Sequence, residues 1–154
     1  MDIWSKDKRS QVMSCILSKN TNIEKRVRKM LTSLDYKYRL HVKELPGKPD
    51  IVLRKYRAVI FVHGCFWHLH SKCRDGTFPK TRSAYWRDKL LNNKKRDLKN
   101  IYQLHSQGWR VLQLWECEIE NHPEKVIKLL KKFLDYKVPI DEVGAKEEFI
   151  LNQM

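Results

Sequence analysis

The sequence is poor in the features that mark membrane-spanning, secreted or disordered chains. It has no apolar run near the roughly 20 residues that a membrane-spanning helix needs, so no membrane partner is expected. Its start, Met1-Asp2-Ile3-Trp4-Ser5-Lys6, has no apolar signal-peptide core, so a cytoplasmic protein is expected. Glycine and proline number only five each, which argues against disorder except at the ends. There are four cysteines, Cys15, Cys65, Cys73 and Cys117. In a reducing compartment these read as thiols or metal ligands rather than disulfides. Acidic residues are scarce, 18 against 32 Lys and Arg, a net charge of +14. Such an excess points to a polyanion, and nucleic acid fits best. An anionic membrane surface would call for a basic amphipathic helix with a fully apolar face, and none is evident. The 154 residues suit a single domain.

Residues 1–19 form a basic arm carrying Lys6, Lys8, Arg9 and Lys19, with a short helix suggested by Val12, Met13, Ile16 and Leu17. Thr21-Asn22-Ile23-Glu24 is a capping box, followed by the apolar stripe Ile23, Val27, Met30, Leu31, Leu34. Tyr36–Val42 reads as a strand, 45–49 as a turn, and Asp50–Leu53 as a second strand. Ala58–Val62 is apolar throughout, as a central strand covered on both faces should be. A helix is expected over Ser83–Gln107, with Trp86, Leu90, Asp97, Ile101 and Leu104 on one face and Gly108 as its stop. A strand follows from Trp109 to Trp115, ending at Glu116-Cys117, and a last helix opens at Pro123. This order predicts a mixed α/β domain over 20–137, a sheet with helices packed on it. The tail 138–154 is weakly patterned.

The chemistry concentrates in 61–73, which holds three of the six histidines. Cys65, His70 and Cys73 follow a C-x4-H-x2-C spacing, and Cys117 lies at the end of a predicted strand. Three thiolates and an imidazole make a closed tetrahedral set suited to structural Zn²⁺. His63 and His68 are rival ligands, and buried thiols beside a surface histidine are the plainer reading. Asp50 precedes a strand whose neighbour ends at Val62-His63. Its carboxylate, with the main-chain carbonyl of Val62, suits a hard cation such as Mg²⁺. Asp50 is otherwise an ordinary turn residue after proline. His68 suits a general base, and His63 a phosphate-binding or leaving-group role. Glu24 is explained by capping but could also hold a metal-bound water. Asp97 is a surface ion-pair partner or an orienter of a histidine. The consecutive Phe66 and Trp67, with Trp86 beside Arg82, either cover the metal knot or form a wedge between base steps.

Several dispersed blocks together resemble one family. They are Leu45-Pro46-Gly47-Lys48-Pro49-Asp50, His63-Gly64-Cys65-Phe66-Trp67-His68, Pro79-Lys80-Thr81-Arg82, and Gly108-Trp109-Arg110-Val111 through Trp115-Glu116-Cys117. They resemble the very short patch repair (Vsr) endonucleases, which nick DNA at T·G mismatches. The likeness runs from about Lys8 to Cys117. It implies a restriction-endonuclease-like core, a central mixed sheet flanked by helices, with a structural zinc site at Cys65, His70, Cys73 and Cys117. It implies that Asp50 and the Val62 carbonyl bind Mg²⁺, that His68 activates water, and that Glu24, His63 and Asp97 support the site. Phe66, Trp67 and Trp86 would open the duplex. Lys8 and Arg9 of the arm, with Lys48 and Arg82, would contact DNA. Two departures stand out: Val62 replaces a familiar threonine, and the His70-to-Cys73 gap is one residue longer than the family's His-x-Cys.

The expected function is therefore strand-specific nicking 5′ of the mispaired thymine, starting very short patch repair of deaminated 5-methylcytosine. The expected partner is double-stranded DNA with a T·G mismatch, bound by a monomer at the nucleoid. Contacts with general mismatch-repair proteins fit the same role. The alternatives are a restriction-type endonuclease on intact duplex and a non-catalytic zinc-stabilised DNA-binding module.

Overall fold

A computed structural model describes residues 5–8, 21–71 and 73–135. Helix α1 (Asn22–Ser33) begins at Thr21, whose Oγ1 accepts from the Glu24 N–H at 3.3 Å. Most of its predicted stripe is the buried one: Val27, Met30 and Leu31 enter the core and Ile23 packs against it, while Leu34, the cap, is half-buried.

The sheet has four strands in the order β1-β2-β3-β4. β1 (Arg39–Leu40), β2 (Ile51–Leu53) and β3 (Ala58–His63) pair antiparallel in succession. β4 (Arg110–Trp115) joins β3 in parallel. A parallel pair needs a long crossover, and here that crossover contains α2 (Ser83–Ser106). All six residues of β3 are buried, as its unbroken apolar run predicts. Ala58, Ile60 and Val62 meet α1 and the last helix, α4 (Pro123–Asp135). Val59 and Phe61 meet Ile101 and Leu104 of α2. His63 shares the α2 side by strand alternation and lines a small cleft with Phe61, Asp97, Asn100 and Ile101. Truncating a fully buried residue such as Ile60 to alanine should cost about 2–5 kcal/mol.

The turn before β2 places the first site residue. The Lys48 N–H bonds the Leu45 carbonyl at 3.1 Å, and Gly47 has φ +74°. This is a Pro-Gly turn whose third position favours glycine. A Cβ at Gly47 would also lie 2.9 Å from the Asn100 Cβ, so α2 packs directly on this turn.

Two expectations need correcting. The strand expected over Tyr36–Val42 is only Arg39–Leu40, because Asp35 and His41 have left-handed φ values of 61° and 47° that break an extended run. The strand expected to run to Glu116-Cys117 stops at Trp115, and α3 (Glu116–Asn121) begins at once. Glu116 and Glu118 in its first turn favour that helix start. α2 closes at Ser106, with Gln107 as its cap. The expected arm helix, with Arg9 and Cys15, and the tail 138–154 lie outside the described residues.

Candidate active site and metal centre

The β2–β3 pairing brings the first acidic group into place. Asp50 precedes β2, and its Oδ2 accepts from the Val62 N–H at 2.8 Å. The carboxylate is thereby fixed at the exit of the central strand. Burial pushes its pKa up to about 7. The Val62 hydrogen bond opposes this, and the Glu24 charge adds to it. Glu24, 2% exposed, reaches the same place from α1. Glu24, His41 and Asp50 offer ligand atoms within 4.8 Å of one another.

A second group faces it from α2. The Asp97 Oδ2 lies 2.5 Å from the His68 Nδ1. An ionised carboxylate only accepts, so the imidazole carries its proton on Nδ1 and leaves Nε2 as an acceptor. His63 stacks on His68, with ring centroids 3.8 Å apart and planes 4° from parallel. Burial, then the neighbouring His68, push the His63 pKa well down, so this ring stays neutral. Its buried Nδ1 has no hydrogen-bond partner. His63, His68 and Asp97 form a second convergent trio.

The knot lies immediately beyond. Cys65, His70, Cys73 and Cys117 offer ligand atoms within 4.8 Å of one another. The His70 Nδ1 is 3.6 Å from the Cys65 Sγ and 3.4 Å from the Cys117 Sγ. The turn that achieves this is short: His68 N–H bonds the Gly64 carbonyl and His70 N–H the Cys65 carbonyl. The His70 ring stacks on Trp115 at 4.2 Å. A Cβ at Gly76 would stand 2.1 Å from the His70 carbonyl oxygen, so this close approach requires glycine. Burial raises the thiols of Cys65 and Cys117. Neither rival histidine joins this set.

Phe66 and Trp67 project from the same turn and meet Trp86 of α2. The three ring centroids lie 5.1, 5.4 and 5.9 Å apart, all edge-on. All three are only partly buried, so they form an aromatic platform open to solvent. Arg82 stacks over Tyr85 at 4.6 Å, and Lys48 is exposed on the turn before Asp50. Lys8 is exposed, and Arg9 lies outside the described residues.

Sequence reasoning missed several neighbours. The Lys89 ammonium lies 5.6 Å from the ring centroids of both Trp67 and Trp86. Asn93 donates to the Trp67 carbonyl at 3.4 Å, and the Glu116 Oε2 accepts from the Cys65 N–H at 3.3 Å. Arg28 and His41 surround Glu24. Helical spacing could have flagged two of these: Lys89 and Asn93 follow Trp86 by one and two turns.

Known proteins resemble this chain in sequence and fold. Residues 1–74 match the sequence model of the family described as DNA mismatch endonuclease Vsr. The chain is 48% identical over 120 residues to Type II nicking enzyme V.XorIIP of Xanthomonas oryzae pv. oryzae, covering 78% of this chain and 88% of that one. It is 40% identical over 134 residues to DNA mismatch endonuclease Vsr of Escherichia coli, covering 87% and 85%. The catalytic domain of homing endonuclease I-Bth0305I superposes with a TM-score of 0.53 at 26% identity, over 74% of this chain and 94% of that one. Fold and relatives together define a DNA endonuclease, a hydrolase of phosphodiester bonds. Within that class, the chain belongs to the Vsr family of DNA mismatch endonucleases.

Proposed function

We propose that this endonuclease nicks one strand on the 5′ side of a mispaired thymine in a T·G mismatch, leaving a 5′-phosphate and a 3′-hydroxyl. The nick would start repair of deaminated 5-methylcytosine. The observation that carries this is the Asp50 carboxylate, held on the Val62 N–H at 2.8 Å, beside the His68–Asp97 pair and next to an open aromatic platform. The name of the Escherichia coli relative supports the mismatch substrate.

Two metal ions fit the residues. Three thiols and one imidazole are a soft donor set that suits structural Zn²⁺, and the thiols raised by burial need a cation to ionise them. Asp50 and Glu24 are hard oxygen donors, and burial first, then the Glu24 charge, hold the Asp50 pKa up, so a hard cation such as Mg²⁺ is favoured there. Asp50 and the Val62 carbonyl would hold that ion. Mg²⁺, when bound, supplies charge stabilisation at the phosphate and leaving oxygen.

The chain's own groups do the rest. His68, with its Nδ1 proton held by Asp97, takes a proton from the attacking water at Nε2. Asp97 keeps that tautomer and stabilises the imidazolium that forms. His63, buried against it, fixes the ring plane and serves the phosphate or leaving group. Phe66, Trp67 and Trp86 unstack the mismatched step, which costs less to open than a paired one. Lys8, Arg9, Lys48 and Arg82 neutralise phosphates. No helix among the described residues is long and apolar enough to cross a membrane. A monomer acting on DNA at the nucleoid, alongside general mismatch-repair proteins, completes the proposal.

The test is single-turnover cutting of a T·G duplex and its T·A control in Mg²⁺. Cutting confined to one strand of the T·G duplex is expected. Equal cutting of both duplexes would instead indicate a restriction-type enzyme. Binding without cutting of either would indicate a binding module.

A further inference from the structure

We propose that Arg28 and His41 are positioning residues that clamp the Glu24 carboxylate beside Asp50 and so set the turnover of the nicking site. This rests on the site read above. Arg28 stands one helical turn after Glu24 on α1, with its Nη2 3.2 Å from the Glu24 Oε2. The same nitrogen is 3.3 Å from the His41 Nε2. A guanidinium only donates, so the His41 Nε2 accepts, and its ring proton sits on Nδ1. The same His41 Nε2 lies 3.5 Å from the Glu24 Oε2. The imidazole and the carboxylate thus gather around one guanidinium nitrogen.

The backbone ties this clamp to the catalytic strand. His41 lies in a left-handed conformation, φ +47°, and its N–H bonds the Asp50 carbonyl at 3.2 Å. One residue thus touches the main chain of Asp50 and, through Arg28, the side chain of Glu24. Side-chain exposures of 16% for Arg28 and 3% for Glu24 place both inside the protein, which leaves the guanidinium poorly placed to serve as a phosphate anchor. Arg28 also counters the build-up of negative charge, since its cation lowers the Asp50 pKa against burial and Glu24. Neither residue belongs to the sequence blocks that carry the family likeness.

The test compares single-turnover nicking by wild type, Arg28→Ala, His41→Leu and the double variant, each in the native and the Glu24→Ala background. Each single change should lower the maximal rate about 10–100-fold, with the DNA concentration dependence shifted less than about threefold. The double variant should be no worse than the weaker single, because the residues act as a unit. In the Glu24→Ala background neither change should lower the rate further. His41→Gln, whose amide oxygen can accept from Arg28, should stay within about threefold of wild type. Nitrogen NMR of the His41 ring should show the Nδ1–H tautomer in wild type and its loss in Arg28→Ala.

Multiplying effects, losses that persist without Glu24, or a weakened DNA dependence at unchanged maximal rate would each overturn the clamp. So would an Nε2–H tautomer in wild type. If His41→Leu fails to fold, the Gln variant and the ring tautomer still decide. If wild type leaves T·G duplexes uncut, or Asp50→Asn cuts at full rate, the parent reading fails, and the tautomer alone judges the clamp.

Discussion

Two metal-type sites share the exit of one strand. His63 closes β3 and belongs to the imidazole stack, and Cys65, two residues on, belongs to the knot. The knot draws on soft donors from a short turn and from Cys117 at the start of α3, and it encloses its centre. The other region draws on hard donors and imidazoles from α1, the β2 entry, β3 and α2, and it opens toward solvent beside three partly exposed aromatic rings. The contrast teaches how one strand end can carry a soft donor set and a hard one side by side. Thiols and an imidazole converge at the turn, and the same turn carries His68, Phe66 and Trp67 to where α2 meets them.

The comparison breaks most sharply if changes in one region spill into the other. Asp50→Asn should lower nicking by about 10³-fold or more. Zinc content and DNA affinity should stay near wild type, as metal analysis and a binding titration would show. Cys117→Ser should do the reverse. Removing one knot ligand should cost on the order of 3 kcal/mol of stability in thermal melts, with zinc lost and nicking falling only as the fold does.

Asp50 also makes a pH prediction for zinc-loaded protein without Mg²⁺. Its folded pKa of about 7 lies above the ordinary value of 3.8. The folded state therefore holds the proton more tightly, and stability is lost as pH rises from about 4 to about 7. Asp50→Asn, which cannot ionise but keeps an acceptor for the Val62 N–H, escapes that loss. Melts at pH 8 should show it more stable than wild type by about 2 kcal/mol, discounted for partial exposure, with the gap closing near pH 4. Equal stability at both pH values would contradict the buried-carboxylate account. The smallest effect belongs to the platform. Trp67→Ala should weaken cutting of T·G duplex about tenfold, from one lost stacking surface worth about 1–2 kcal/mol. Unaltered zinc content would keep the two regions separate.

Much of this was legible in the sequence because local pattern and tertiary role coincide. The all-apolar run of β3 announced a central strand, and helical spacing placed Asp97 on the inward face of α2. The Cys-His-Cys spacing announced three members of the knot, and the position of Cys117 after a predicted strand supplied the fourth. What sequence did not show depends on contacts between distant segments. The Arg28–His41 contact spans 13 residues and a left-handed residue that ends the expected strand early. The stacking of His63 on His68 depends on the path of the turn between them. α3 has only six residues, too few to establish an amphipathic pattern.

The most direct test of the division between the two sites is to count metal and measure cutting on one sample. Protein passed through a resin that removes weakly held ions should retain about one zinc per chain and stay folded. It should leave a T·G duplex intact until Mg²⁺ is added, then nick one strand. Nicking by the zinc-only protein, or loss of zinc from a chain that stays folded and active in Mg²⁺, would contradict the account.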